Sequence, residues 1–395
     1  MDKMKFVIVG TGRITTLHVE GYNNNPDAQL WGVYDKNNAS ATKFAELYNI
    51  PKVYKTYEEV LSDKEVKAVE IIVPHDLHCA MTIQACEAKK HVSVQKPMAI
   101  SIEECDKMIK SAKDNGVKLR VFENFIFYPP YQLVKKLLAD GEIGEPVGFR
   151  YKHCGGGLLS RNAPAPELRA KHIKNLDKSL KPTGWKVNNK SWTWRLNDSR
   201  CGGGPAVFDD GYHKFSMFVD LLGEVEKVYS WIDCTAVIPG VYQDIPATMM
   251  WKWKNKKLYG TWDITAATDM YIEGKYYNCD ERMELTGTRG ILWITRCTAT
   301  MLPNVAPVLM YRDGKMQEFW DMPHDWQDSF TACTRDFIEA IRDDREPKLS
   351  GERGREITKF ALAMIDSSKL NKEIFLDDYE DTVTPKKKGI FGRRR

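Results

Sequence analysis

The sequence predicts an α/β protein built from two unlike halves: a doubly wound parallel sheet, then an α+β domain with a large, mainly antiparallel sheet. Three observations predict it. Strands and helices alternate through the first 125 residues. A glycine turn follows the first strand. After Pro129-Pro130 the apolar pattern shifts to period two.

The elements follow in order. MKFVIVG is a continuous apolar run ending in glycine, as a strand buried on both faces requires. Residues 14–25 suit a helix, QLWGVYD (29–35) a second strand, and NASATKFAELYN a second helix. VKAVEIIVP (66–74) is a strand and LHCAMTIQACEAKK the helix after it. HVSV (91–94) precedes a helix from Ser101 to Asn115, where Ser101 and Glu104 have capping-box spacing. KLRVFEN (118–124) closes the series.

From about residue 145 to 320, runs such as VEKVYSWID, TMMWKWKN, LYGTWDIT and RMELTGTRGILWIT alternate apolar and polar residues. An antiparallel sheet with one face to cover reads this way, and a helix layer or a second subunit must cover it. Residues 326–344 and 353–370 return to helical spacing. The expected units are 1–125, 126–375 and a basic tail, 376–395, expected to be disordered. An insert at 154–204 carries Trp185, Trp192 and Trp194, and ten Lys or Arg against three acids fall within 161–200.

Composition narrows the function classes. The net charge is +4, but the last ten residues hold six basic side chains, so the remainder carries −2. That balance gives no general basis for nucleic-acid binding. Nine cysteines include no C-x-x-C pair, which points away from a zinc ribbon or a disulfide framework and toward a reducing, cytoplasmic setting. No apolar run approaches the roughly 18 residues of a membrane helix.

Four stretches carry chemistry. GTGRIT (10–15) opens a helix directly after strand one. Gly10 permits the tight turn and Gly12 lets a pyrophosphate approach the backbone, with Arg13 and Ile14 beside it. Asp35, at the end of strand two, stands where a carboxylate accepts both ribose hydroxyls and repels a 2′-phosphate. Together they identify 1–125 as a Rossmann dinucleotide-binding domain, for NAD rather than NADP. Second, VPHDLHCA ends a later strand. Pro74, His75 and His78 are expected beside the cofactor, with no completed metal set. Third, SVQKPMAIS places Gln95 and Lys96 at another strand end and Asn124 ends the next, so all three are expected beside the nicotinamide half of the cofactor. Fourth, GGGPAVFDDGYHKF puts Asp209 and His213 four residues apart, one helical turn, with Tyr212 next to the histidine. Gly211 between them signals close approach of another group, since a mid-helix glycine costs about 1 kcal/mol against alanine.

GTGRI, the YD of strand two, VP-x-x-x-H, the K-P after HVSVQ and GGG…D-x-G-x-H together resemble the Gfo/Idh/MocA oxidoreductase family, in order and approximate spacing over nearly the whole chain. GTRGILWI and the terminal helices match as well. Two departures stand out: the usual E-K-P is Gln95-Lys96-Pro97, and Thr15 fills the third glycine slot. The resemblance implies Lys96, Asp209 and His213 as the catalytic set. His213 would be the base, Lys96 would donate to the reacting oxygen, and Asp209 would position His213 or hold a hydroxyl. It implies polyol, sugar or sugar-derivative substrates. With Trp194, Arg195 and Tyr212 as further substrate contacts, a glycoside oxidised at a ring hydroxyl, candidate position 3, is the leading reading. Inositol or another polyol is the alternative, and a non-catalytic NAD-sensing regulator is the alternative of another class. A homo-oligomer is expected.

Overall fold

The computed structural model describes residues 3–23, 25–157, 159, 174–185, 193–238 and 241–380. Trp192 and the end of the basic tail lie outside these residues.

The first half alternates as the sequence predicts: β1 (Met4–Val9), α1 (Thr15–Val19), β2 (Ala28–Tyr34), α2 (Asn38–Tyr48), β3 (Lys52–Tyr54), α3 (Tyr57–Ser62), β4 (Val66–Ile71), α4 (His78–Glu87), β5 (His91–Gln95), α5 (Ile102–Asn115) and β6 (Leu119–Phe122). Short β3 and α3 are additions to the sequence reading. The six strands form one parallel sheet in the order β3-β2-β1-β4-β5-β6. Phe6, Val7, Ile8 and Val9 of β1 are fully buried, which accounts for the unbroken apolar run. The α5 cap forms as its spacing predicts, with the Ser101 hydroxyl accepting from Glu104 N at 3.2 Å. Because every strand is parallel, all six carboxyl ends open on one edge, where an α/β sheet holds its ligands.

After α6 (Pro129–Ala139) comes β7 (Pro146–Gly156), the insert with α7 (Asp198–Cys201), a π-type turn over Pro205–Asp210, and α8 (Gly211–Leu222). The strands β8 (Val225–Ile232), β9 (Thr235–Ile238), β10 (Val241–Gln243), β11 (Ala247–Trp253), β12 (Tyr259–Ala267), β13 (Cys279–Gly287), β14 (Gly290–Ile294), β15 (Val308–Arg312) and β16 (Lys315–Phe319) follow. Helices α9 (Trp326–Arg342) and α10 (Gly351–Leu370) precede β17 (Ile374–Phe375). Nine strands form a second sheet, β16-β15-β14-β13-β7-β12-β11-β8-β17, antiparallel except where β7 and β12 run parallel.

Helices α8 and α10 cover one face of this sheet through rings. Phe218 stacks on Trp251 with centroids 4.7 Å apart, and Phe215 meets Trp262 and Phe360 at 5.5 and 4.5 Å. Trp231, Tyr259 and Tyr311 stay exposed elsewhere on the sheet. Helix α9 returns to the first half, where Phe337 meets Phe6 of β1 at 6.3 Å. The start of the expected tail is docked rather than disordered. Leu376 N donates to Glu226 O, and the Tyr379 hydroxyl reaches Asp366 at 2.6 Å. The apolar Leu376 and Tyr379 give these residues a face to bury. Among the described residues no helix is long and apolar enough to cross a membrane, and no disulfide joins any of the cysteines.

Candidate active site

The glycine turn is built for close approach. Gly10 has φ +101°, and a Cβ there would lie 2.1 Å from Ile72 O. A Cβ at Gly12 would meet nothing within 4 Å, so this backbone is open to a group laid against it. Asp35 sits across the turn, accepting from Thr11 N at 2.7 Å and Thr11 Oγ1 at 2.8 Å through Oδ2, and from Asn37 N through Oδ1. Half-buried Ile14 packs into the core at the start of α1. The Arg13 guanidinium lies over Trp185 and Tyr277, 4.4 and 4.9 Å from their centroids. Its Nε and Nη2 are buried without a hydrogen-bond partner among the described residues. Burial lowers its pKa, and nearby Arg195 adds to this. An open glycine turn beside an unpaired guanidinium fits the anionic diphosphate of a dinucleotide.

Lys96 stands just past β5. Its Nζ donates to Asp209 Oδ1 at 2.7 Å and to Asp209 O at 2.8 Å. Asp209 comes from the π-type turn and also receives Arg195 Nε at 2.5 Å, while His75 Nε2 lies 3.5 Å from its Oδ1. Burial alone would raise the Asp209 pKa; Lys96 and then Arg195 outweigh it and hold the carboxyl well below its usual range. His75 is fixed from its other side by Nδ1 against Cys201 O at 2.8 Å, and Pro74 leads into the short helical turn that carries it.

His213 does not pair with Asp209, contrary to the expectation from their spacing. Its Nδ1 lies 2.8 Å from both carboxylate oxygens of Glu123, a fully buried residue at the end of β6. The reason is geometric: Asp209 belongs to the π-type turn and His213 to the α-helix after it, so the four-residue spacing no longer forms a regular turn. Sequence reasoning missed Glu123. An acid closing the buried run LRVF was its one signal. Phe125 stacks on the imidazole at 4.2 Å. His213 Nε2 makes no hydrogen bond among the described residues. Burial lowers the His213 pKa and the charges of Lys96 and Lys214 add to that, while Glu123 opposes them; the net direction is down. Gly211 does mark a close approach: a Cβ there would sit 3.1 Å from the Trp262 ring.

Several expected contacts lie elsewhere. Tyr212 is wholly buried and turned from the cleft, its hydroxyl donating to Gly354 O at 2.9 Å, because its neighbour His213 faces Glu123. Asn124 points into the core, donating to Ser329 Oγ at 2.7 Å. His78 is fully buried between Pro97 O and Val73 O, 2.9 Å from each, and burial brings its pKa down to about 4. It joins two strand ends and does not face the cleft. The Gln95 side chain bonds inward, to His18 and to the Lys96 amide. Trp194 sets its ring edge-on to His75 at 4.7 Å and receives Arg195 on its face at 4.4 Å. The faces of Trp185 and Trp194 thus each hold a guanidinium.

Behind α8, His153, Asp210 and Glu281 converge closely enough to hold a metal ion. The Lys214 ammonium already fills that place, 2.9 Å from Asp210 and 2.7 Å from Glu281.

Residues 4–123 match the family model described as oxidoreductase family, NAD-binding Rossmann fold, and residues 178–375 match its C-terminal alpha/beta domain. Myo-inositol 2-dehydrogenase of Thermotoga maritima is 24% identical over 95% of this chain and 99% of its own. The NAD(+) scyllo-inositol 2-dehydrogenase of Bacillus subtilis is 31% identical over 42% of this chain and 47% of its own. Against an uncharacterized oxidoreductase of the same organism, 31% identical, the match covers 38% of this chain and about half of the relative, 48%. A levoglucosan dehydrogenase in complex with NADH and levoglucosan shares the fold, with a TM-score of 0.75 at 18% identity over 95% of this chain and 100% of its own. The chain belongs to the Gfo/Idh/MocA oxidoreductase family, with an NAD-binding Rossmann domain.

Proposed function

We propose that this protein is an NAD-dependent dehydrogenase of a cyclic polyol or sugar, acting on a secondary ring hydroxyl, with Lys96, Asp209 and His213 as its catalytic set. The observation that carries the reading is the convergence of two acid–base groups on the edge that holds the glycine turn. Lys96 is bound by Asp209 at 2.7 Å, and His213 is bound by Glu123 at 2.8 Å with Nε2 left free.

In the oxidation direction the bound nicotinamide supplies the hydride acceptor. His213 Nε2 takes the hydroxyl proton as general base, and its lowered pKa keeps that nitrogen unprotonated at neutral pH. Nδ1–H donates to Glu123, which fixes the ring and stabilises the imidazolium as it forms. Lys96 Nζ donates to the same substrate oxygen as negative charge builds on it. Asp209 holds the ammonium in place and, with Arg195, is positioned to receive a neighbouring hydroxyl. Gly10, Gly12, Arg13, Ile14, Asp35, Pro74 and His75 form the cofactor side.

Two substrate readings remain within this chemistry. The T. maritima relative, matched end to end, is named for myo-inositol and favours a free cyclic polyol. The second reading is a glycoside, with its 3-hydroxyl as the candidate position; a levoglucosan dehydrogenase shares the fold. A panel of inositols, free hexoses, uronic acids and glucosides, assayed for NADH formation from NAD, separates them. NADH from one class, abolished in Lys96→Ala, is the expected result. Tight NAD binding with no turnover on any member would instead support a nucleotide sensor. We also place a second copy of this chain over the exposed Trp231, Tyr259 and Tyr311, to be checked by sedimentation.

A further inference from the structure

We propose that Gln95 is a positioning residue for Lys96, the last link of a one-way hydrogen-bond relay that starts at buried Glu70 and fixes the tautomer of His18. The inference rests on the reading of Lys96 as catalytic. It also accounts for the amide that stands where the family's usual motif has a carboxylate.

The direction of the relay follows from one group whose polarity cannot be reversed. The Lys96 backbone N–H is a donor, and the Gln95 side chain is 2.7 Å away, so the atom facing it is the carbonyl oxygen Oε1. The amide NH2 must then face the other way, toward His18 Nε2 at 3.0 Å. An NH2 can only donate, so His18 Nε2 is an acceptor without a hydrogen. The single ring hydrogen therefore sits on Nδ1, where it donates to Glu70 Oε1 at 2.8 Å. The Tyr22 hydroxyl donates to Glu70 Oε2 at 2.5 Å. Each assignment follows from the partners, and all agree on one direction.

The charges around His18 allow this. Glu70 is fully buried, and Arg120 Nη2 on β6 lies 3.8 Å away to counter its charge, so a charged His18 is not required. Cys333 on α9 holds Arg120 through its carbonyl, and burial pushes its own thiol up to about 12. The remaining neighbours, Phe122 and Phe330, are uncharged rings. A glutamate at position 95 could still accept from Lys96 N, but it could meet His18 Nε2 only if that nitrogen also carried a hydrogen.

Nitrogen-15 NMR of the full chain, labelled at histidine and assigned with His18→Asn, tests this without a substrate. A hydrogen on His18 Nδ1 and none on Nε2 is expected; a hydrogen on Nε2 overturns the relay. This measurement stands even if no substrate is found, so failure of the relay and failure of the dehydrogenase reading are distinguishable. With a substrate in hand, Gln95→Met should lower kcat about tenfold, the scale of one lost hydrogen bond, at unchanged KM for NAD. Gln95→Glu should recover most of that rate, with hydrogens on both His18 nitrogens. Wild-type kcat in Gln95→Met, or no recovery in Gln95→Glu, would refute the positioning role.

Discussion

Asp209 and His213 share one turn of chain with Asp210 and Lys214, yet the two pairs face opposite ways. The first pair meets the edge of the parallel sheet. There Lys96, Arg195 and Glu123 supply its partners, and His213 Nε2 keeps an unused lone pair. The second pair faces the antiparallel sheet, where Lys214 is wholly buried between Asp210 and Glu281, with His153 Nδ1 3.3 Å from Asp210. The spacing and the residue types are nearly the same. The front pair leaves His213 Nε2 without a hydrogen bond among the described residues, on the edge that holds the glycine turn. In the rear cluster the Lys214 ammonium takes the place between Asp210 and Glu281, and buried His153 Nδ1 makes no hydrogen bond there.

The comparison can be broken from either side. Lys96→Ala removes the donor from the cleft and should lower kcat by about 10³- to 10⁴-fold, while NADH fluorescence shows that the cofactor still binds. Retained turnover would move the chemistry elsewhere. Lys214→Met leaves buried Glu281 and part-exposed Asp210 without the cation between them and should cost about 3–5 kcal/mol in urea unfolding, as for one partner taken from a buried ion pair. A fully stable variant would show that the rear cluster is not the structural one. Glu123→Gln keeps the shape of the cleft but removes the charge behind His213, and should lower kcat by about 10²-fold with folding intact. Tyr212→Phe removes a single hydrogen bond to Gly354 O and should cost about 1 kcal/mol with turnover unchanged. A rate loss there would put Tyr212 back in the cleft.

The same contrast explains how much of the molecule the sequence disclosed. The parallel sheet was legible because its strands are apolar on both faces and end in Gly10, Asp35 and Lys96, residue types that stand out against an apolar run. The antiparallel sheet was legible by period two. Lys96 and Asp209 do meet, as the motifs imply. The Asp209–His213 pairing failed because a π-type turn, which no periodicity revealed, separates the two residues. Tyr212 failed because adjacent residues on a helix face different ways, and His213 takes the direction of Glu123. Glu123 itself read as the end of a strand. Only the fold brings it to a histidine 90 residues away. His78 and Asn124 stand at strand ends as expected, but their side chains are spent on Pro97, Val73 and Ser329.

The central claim, that the cleft-facing histidine is the base, is tested most directly by the pH dependence of kcat/KM for NAD reduction in the wild type and in Glu123→Gln. Burial and the charges of Lys96 and Lys214 lower the His213 pKa, so the rate should fall only as pH drops below about 6.5, the ordinary histidine value. Glu123 opposes that shift, so in Glu123→Gln the acid limb should move to still lower pH. An acid limb above the ordinary histidine value, or one that Glu123→Gln leaves in place, would contradict the account.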